Sequence, residues 1–136
     1  MTKPTDLVST NADQQLVCVA RDGNDVLGYV AVDSTVGGRA RGGLRMAPDV
    51  DEAEVCGLAR AMTLKYGFLG LPQGGAKAGV RGDPEAPPEE RRARLAAFAR
   101  LVAPLLRSRV FTPDTRLPQL PLWTRSALSV RSFSSE

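Results

Sequence analysis

Apolar residues recur with two different rhythms along this chain, and the change from one to the other divides it into elements. Leu16-Val-Cys-Val-Ala20 and Val26-Leu-Gly-Tyr-Val-Ala-Val32 are short β-rich bursts separated by Arg21-Asp-Gly-Asn-Asp25, whose Asp-Gly-Asn centre favours a tight turn, so a hairpin is expected. Val36-Gly-Gly-Arg-Ala-Arg-Gly-Gly43 holds too much glycine for regular structure and predicts an ordered loop. Beyond Pro48 the period lengthens. Asp49 or Asp51 can cap a helix, with Asp51, Glu52 and Glu54 at the end where the helix dipole favours acids. Val55, Leu58, Ala59 and Met62 then follow as one buried stripe. Lys65, three residues after Met62 and seven after Leu58, is expected to continue that inward face.

Gly67-Phe-Leu-Gly-Leu-Pro72 ends this helix and leads into a second glycine loop, after which Ala78-Gly-Val80 is short enough to be a strand end. Asp83-Pro-Glu-Ala-Pro-Pro-Glu-Glu90 is turn chemistry followed by a helix start, with prolines first and acids in the opening turn. Leu95, Phe98, Leu101, Val102, Leu105 and Leu106 form the apolar face of that helix, and Arg107 and Arg109 suit its negative end. Pro104 should bend the helix or cut it short. From Thr112 onward Pro113, Pro118 and Pro121 interrupt a Ser-, Thr- and Arg-rich stretch around Trp123, and the pattern assigns no element there. Residues 1–15 read as a loose polar segment, 16–110 as a single domain and 111–136 as an irregular tail.

A length of 136 residues allows one modest core and is short for two ordinary domains. No apolar run approaches a membrane span, and the start lacks the charged opening and apolar centre of a secretory signal, so a cytoplasmic protein without membrane contact is expected. Histidine is absent and Cys18 and Cys56 are the only cysteines, which removes the usual ligands of a zinc site; no metal is expected. Both cysteines sit in apolar settings and read as buried free thiols. The net charge of +3 is mild, yet Arg39, Arg41, Arg45, Lys65, Lys77 and Arg81 crowd the middle, with no acid between Asp33 and Asp49. Too little aromatic interleaving and too much glycine argue against a nucleic-acid partner for this cluster.

The chemistry therefore concentrates on two lysines. Lys77 lies in Gly74-Gly-Ala-Lys-Ala-Gly79, where glycines strip away neighbouring side chains and let a backbone come close to a ligand. Gly70-Leu-Pro-Gln-Gly-Gly-Ala-Lys77 departs from a phosphate-cradling loop on both sides of the lysine, and no two glycines in the chain are two apart as a dinucleotide fingerprint requires. Spacing alone leaves two readings open. Lys65, Lys77, Arg41 and Arg45 are either solvated cations with wet heads or a set that holds a small dicarboxylate or amino acid by charge-assisted hydrogen bonds.

Three motifs in order narrow the choice. Gly42-Gly-Leu-Arg-Met46, the helix end Met62-Thr-Leu-Lys-Tyr66 and Leu71-Pro-Gln-Gly-Gly-Ala-Lys-Ala-Gly79, preceded by Val32-Asp-Ser-Thr35, closely resemble the N-terminal region of the glutamate, leucine, phenylalanine and valine dehydrogenases over about residues 16–106. The resemblance implies an α/β fold, a mixed sheet with flanking helices, that binds substrate and makes subunit contacts. It implies oxidative deamination of an L-amino acid to a 2-oxo acid and ammonia with NAD or NADP. It also implies a homo-oligomer, or association with a full-length relative. By motif, Lys65 resembles the lysine that binds the substrate's α-carboxylate, and Lys77 the catalytic lysine that works on water and imine. Gly42, Gly43, Gly74 and Gly75 then become backbone along which the substrate passes. Arg41 stands where glutamate enzymes carry a lysine for the distal carboxylate.

A lysine acting as a base must lose its proton part of the time, which desolvation beside Lys65, Arg41 and Arg45 would promote, while the carboxylate holder must stay charged. Asp114 in Phe111-Thr-Pro-Asp114 is the candidate for the family's proton-transferring aspartate, although Thr-Arg-Leu-Pro after it does not continue the pattern. The chain ends within 22 residues of Asp114, so the nucleotide-binding half is not among these residues. Without that half the expectation is no turnover, no good cofactor binding, and apolar surface left uncovered. A binder of amino or oxo acids without redox chemistry, or an assembly subunit, is the alternative.

Overall fold

The computed structural model describes residues 5–7 and 16–113, which form a seven-stranded mixed sheet with helices on both faces. The expected hairpin is present as β2 (Leu16–Asp22) and β3 (Asp25–Val32), with Gly23 at φ 62° in the turn. Glycine takes that left-handed conformation without steric penalty. β1 (Thr5–Leu7) pairs antiparallel with β2, inside the segment expected to be loose. β3 pairs antiparallel with β6 (Gly74–Arg81). Against the other side of β6 lie β4 (Ala40–Gly42) and then β5 (Leu44–Ala47), both parallel to it, and β7 (Phe111–Pro113) closes that edge beside β4.

Two glycine stretches expected as loops are thus largely strand. Only Val36–Arg39 turns, through Gly37 and Gly38 at φ 61° and 77°. Gly74–Arg81 is an eight-residue strand in the middle of the sheet rather than a loop with a strand end. Glycine normally weakens a strand, but here it lets other backbone come close. A Cβ on Gly42 would run into the carbonyl of Ala76, and one on Gly75 into Thr63 of the neighbouring helix.

That helix, α1 (Glu52–Phe68), starts at Asp51, whose Oδ1 accepts the Glu54 N–H at 2.8 Å, and the acids Glu52 and Glu54 follow in its first turn. It stops through paired bonds from Leu71 N–H to the Tyr66 carbonyl and from Gly70 N–H to the Gly67 carbonyl, with Gly70 at φ 68°. This is a Schellman end, which satisfies carbonyls that a helix otherwise leaves open. α1 covers one face of the sheet, where Val17, Tyr29, Ala31, Val50, Val55, Cys56 and Ala59 are buried together.

The opposite face is covered by α2 (Pro88–Leu101) and α3 (Ala103–Arg107). The break at Val102 comes where Pro104 has no N–H to give the Arg100 carbonyl, as the sequence predicts. Leu95, Phe98, Val102, Leu105 and Leu106 pack there on Cys18, Val30, Val32, Ala76, Ala78, Val80 and Phe111. Strand residues alternate between these two cores with period two, which fixes the register, since a slip of one residue would exchange the faces. Each fully buried Val or Phe stabilises this arrangement by roughly 1.5–3 kcal/mol. Cys18 and Cys56 are buried thiols outside any disulfide, as expected.

Candidate functional site

Lys77 stands near the middle of β6 on the face covered by α1. Gly75 and Gly79, the residues before and after it on that face, touch Thr63 and Ala59 of α1 in one case and Val50 and Val55 in the other. Across the ladder on one side its partner is Ala31. On the other side Arg41 pairs with Gly75 and Arg45 with Gly79, which sets Gly43 beside Lys77, and the Gly43 carbonyl accepts the Ala78 N–H at 3.0 Å. Every immediate sheet neighbour of Lys77 on this face is therefore glycine or alanine. The half-buried lysine rises from a patch of bare backbone.

Arg41, half-buried, shares the α1 face through its pairing with Gly75, one strand over and two residues along from Lys77. Diagonal neighbours of this kind are about 7–8 Å apart between Cα atoms, within reach of two long side chains acting on one small molecule. The Arg41 Nε is buried and finds no acceptor among the described residues. Such a donor costs free energy until something accepts from it.

Lys65 departs from the expectation. The inward positions of α1 are taken by Val55, Ala59 and Tyr66, and Lys65, rotated about 100° from Tyr66, is exposed. Leu58 and Met62, expected in the buried stripe, are half-buried on the same flank as Lys65. That flank overlooks β5, because Glu54 on it pairs with Arg45. Lys65 lies close to Thr63, which touches Gly75, so it stands at the end of the sheet where Arg41 and Gly75 pair. Arg45 is exposed and committed to Glu54, with Nε 2.6 Å from the carboxylate.

Gly42, Gly43, Gly74 and Gly75 are all buried. Gly74 abuts the backbone of Ser34 and Thr35, where a Cβ has no room. Asp114 lies outside the described residues.

Several groups at the site were not singled out in the sequence. Asp33, with a side chain only 1% exposed, directly follows β3 there; its N–H donates to the Gly75 carbonyl at 2.8 Å and its Oδ1 lies 3.7 Å from Arg60 Nη1. The Ser34 and Thr63 hydroxyls are 2.8 Å apart, and Ser34 Oγ accepts the Gly75 N–H at 3.2 Å. Ala31 and Gly79 complete the bare patch. A strand assignment for 74–81 would have pointed to Gly79, but no local pattern marks the two hydroxyls, which are 29 residues apart.

Of the titrating groups near α1, the Cys56 thiol is pushed up from its ordinary value of 9.0, first by burial and then by the carboxylates of Glu52 and Asp33. A cavity of about 580 Å³ opens at the other end of β6, among Arg81, Asp83, Glu85, Glu90, Arg91 and Arg94, away from the predicted site residues.

Residues 14–119 match the family model described as Glu/Leu/Phe/Val dehydrogenase, dimerisation domain. The chain belongs to this family. It is 49% identical over 57 residues to the NAD-specific glutamate dehydrogenase of Staphylococcus aureus, covering 42% of this chain and 14% of that protein. With the NADP(+)-dependent glutamate dehydrogenase of Pyrobaculum calidifontis it shares 40% identity over 87 residues, 63% of this chain and 21% of the relative. The crystal structure of glutamate dehydrogenase from Peptoniphilus asaccharolyticus superposes with a TM-score of 0.65 at 30% identity, covering 81% of this chain and 28% of that one. The matched part of the chain thus spans 14% to 28% of the length of these relatives. The mixed sheet with flanking helices is the α/β fold expected from the motifs. No helix among the described residues is long and apolar enough to cross a membrane.

Proposed function

We propose that this chain is the substrate-binding part of an NAD- or NADP-dependent amino-acid dehydrogenase of the glutamate type, and that it holds an L-amino acid or its 2-oxo acid over the bare backbone around Lys77. The observation that supports this reading most is the ring of Gly43, Gly75, Gly79 and Ala31 about one half-buried lysine, with Arg41 beside it. A solubilising lysine needs no such surroundings. A substrate reaching a strand backbone does, because any larger side chain would fill the space it occupies.

The roles follow from charge and position. Lys65, exposed and charged at the end of α1, pairs with the α-carboxylate. Lys77 acts at the carbon that bears nitrogen, where its ammonium can give a proton and its amine can take one from water. Arg41, whose Nε has no acceptor among the described residues, takes a second carboxylate in its planar fork, which favours a dicarboxylic substrate. Gly42, Gly43, Gly74 and Gly75 keep the approach open. Asp114 is assigned the assisting proton transfer by motif alone.

The described residues do not fit a nicotinamide nucleotide: no two glycines stand two apart at a strand-to-helix turn, and the middle of the sheet is occupied by Lys77 and its helix. Accepting hydride is therefore not assigned to any of them. The 136-residue chain by itself is proposed to bind without turnover, as the domain at 16–110, and to do so in the cytoplasm.

Titration calorimetry with 2-oxoglutarate, glutamate and branched-chain 2-oxo acids tests the binding. Heat with the dicarboxylates that disappears in Lys65→Gln and in Lys77→Met supports the reading, and no heat with any of them overturns it. Measuring NAD(P)H formation with a panel of amino acids tests the second part, which clear turnover by this chain would refute.

A second reading concerns assembly. Phe68 is 93% exposed beside exposed Leu64, Leu69 and Leu71, an apolar patch that suits a subunit contact better than water, and the matched family model is a dimerisation domain. A homo-oligomer, or assembly with a full-length relative, is proposed on that ground, and co-purification would reveal either.

A further inference from the structure

From the contacts of Ser34, Thr63 and Gly75 we infer that Ser34 and Thr63 are positioning residues of the site: their hydroxyl pair sets how far along β6 the helix α1 sits, and so sets the separation of Lys65 from Lys77. This rests on the reading of the site given above, and it deepens that reading by naming what holds the two lysines in place.

The contact between α1 and β6 is unusually smooth. On the face of β6 that meets the helix the residues are Gly75, Lys77 and Gly79, so the strand offers α1 no apolar knob to lodge between its turns. Helices usually find their position on a sheet through interdigitating side chains; here β3 supplies Tyr29 and Ala31 to the cluster around Val55, Cys56 and Ala59, while β6 supplies no apolar side chain to it. Sliding α1 by one residue would move it about 1.5 Å and would carry Val55 away from Gly79 and Thr63 away from Gly75. Packing fixes where α1 lies over β3, but along β6 only the glycine gaps guide it.

One directional contact does discriminate. Thr63 Oγ1 and Ser34 Oγ are 2.8 Å apart, and Ser34 Oγ in turn accepts the Gly75 N–H at 3.2 Å. The Gly75 carbonyl is held by the N–H groups of Asp33 at 2.8 Å and Ser34 at 3.4 Å. Gly75 itself is pressed so closely on the Thr63 backbone and hydroxyl that no Cβ fits. The end of β3, the start of β6 and the last turns of α1 are thus joined at a single point. A shift of even 1 Å would carry the hydroxyls beyond good hydrogen-bond length.

The two functional lysines are each two residues past that point. Lys65 follows Thr63 on the helix and Lys77 follows Gly75 on the strand. Lys77 returns to the face of Gly75, whereas Lys65 is turned about 200° from Thr63, so rigid secondary structure transmits the position of the clamp to the backbone of both lysines. A ligand bridging them is sensitive to their separation, since a displacement near 1 Å is enough to spoil a pair of charge-assisted bonds.

The test uses Thr63→Val, which keeps shape and removes the hydroxyl, Thr63→Ser, which keeps the hydroxyl, and Ser34→Ala, all in the 136-residue chain. Two readouts are taken: the yield of the Lys65–Lys77 link formed by a short amine-to-amine reagent without ligand, and calorimetric affinity for 2-oxoglutarate. Thr63→Val and Ser34→Ala are expected to lower the link yield and weaken affinity about tenfold, the effect of one lost hydrogen bond in a site. Thr63→Ser is expected to restore both. Unchanged link yield in Thr63→Val and Ser34→Ala overturns the inference, as does a Thr63→Ser chain no better than Thr63→Val, which would make the methyl group the decisive part. Should Thr63→Val fail to fold by circular dichroism, Ser34→Ala decides by the same two readouts. Because the link is measured without ligand, a wild-type chain that forms it but binds no oxo acid would sink the proposed function and leave the clamp standing.

Discussion

Arg45 Nε lies 2.6 Å from Glu54 Oε2, and this ion pair between β5 and the first turn of α1 shows which flank of the helix overlooks β5. Eleven residues after Glu54 comes Lys65. At 3.6 residues per turn that is three turns and about 20°, so Lys65 returns to the same flank about 16 Å further along. The surface pair contributes little to stability by itself. Its value here is to mark the flank of α1 that carries Lys65, on the side of the helix nearest β5.

This placement is directly testable, because Lys3, Lys65 and Lys77 are the only lysines in the chain. A short amine-reactive cross-linker at low protein concentration is expected to give an intramolecular Lys65–Lys77 link, read by mass spectrometry of the digested monomer. Single-ended modification at both lysines without the link would mean that they open to different surfaces, and the site would have to be abandoned.

The glycines of β6 give a second prediction with an internal control. Gly75→Ala forces a methyl group into Thr63 and the Ala59 carbonyl, so α1 must move off the sheet, at a cost of about 2–3 kcal/mol. Gly57 is also glycine within an element, on the exposed side of α1, with nothing within 4 Å of its would-be Cβ. There alanine should stabilise by about 0.5–1 kcal/mol through helix propensity. Urea midpoints of the two variants should move in opposite directions, and a Gly75→Ala chain as stable as wild type would contradict the close contact.

How much of this could be read from residues alone differs between elements for physical reasons. The β2–β3 turn, the Asp51 cap, the Schellman end at Gly70 and the break before Pro104 are written locally, in residues whose backbone preferences are strong. β6 was not legible as a strand. Its glycines deny it local strand preference, and it exists because Ala76, Ala78 and Val80 lie under α2 and α3 while bare positions admit α1, both of which are tertiary facts. Lys65 was misplaced because Leu58 and Met62 are half-buried flank residues that mimic the centre of an apolar stripe. The true centre contains Thr63, a polar residue satisfied by Ser34, and no count of apolar positions would include it.

Exposed apolar surface leads to a third prediction. Phe68 is 93% exposed at the end of α1, next to Leu64, Leu69 and Leu71. Replacing Phe68 by Ser removes almost no buried area, so thermal stability should change by less than about 0.5 kcal/mol. Self-association, by contrast, should fall if the patch drives it. Sedimentation of wild type and Phe68→Ser over a range of concentrations reads this out. Equal association in both would exclude the patch as a contact and remove the support it gives to the assembly reading.

The Cys56 thiol supplies a prediction about pH. Burial against Val55 and Ala59, followed by the nearby carboxylates of Glu52 and Asp33, disfavours the thiolate and holds the folded-state pKa above 9.0. In the unfolded chain the thiol ionises near pH 8.5. The folded state therefore binds this proton more tightly, its contribution to stability is complete below about pH 8.5, and it is lost as pH rises through the folded value. Urea midpoints should decline between pH 8.5 and 10, and Cys56→Ala, less stable at neutral pH, should show a shallower decline. The same environment should keep the thiol nearly unreactive toward a disulfide reagent at pH 8 until denaturant is added. Rapid labelling of Cys56 in the native chain, or identical pH slopes for wild type and Cys56→Ala, would show that α1 does not seal this residue against the sheet.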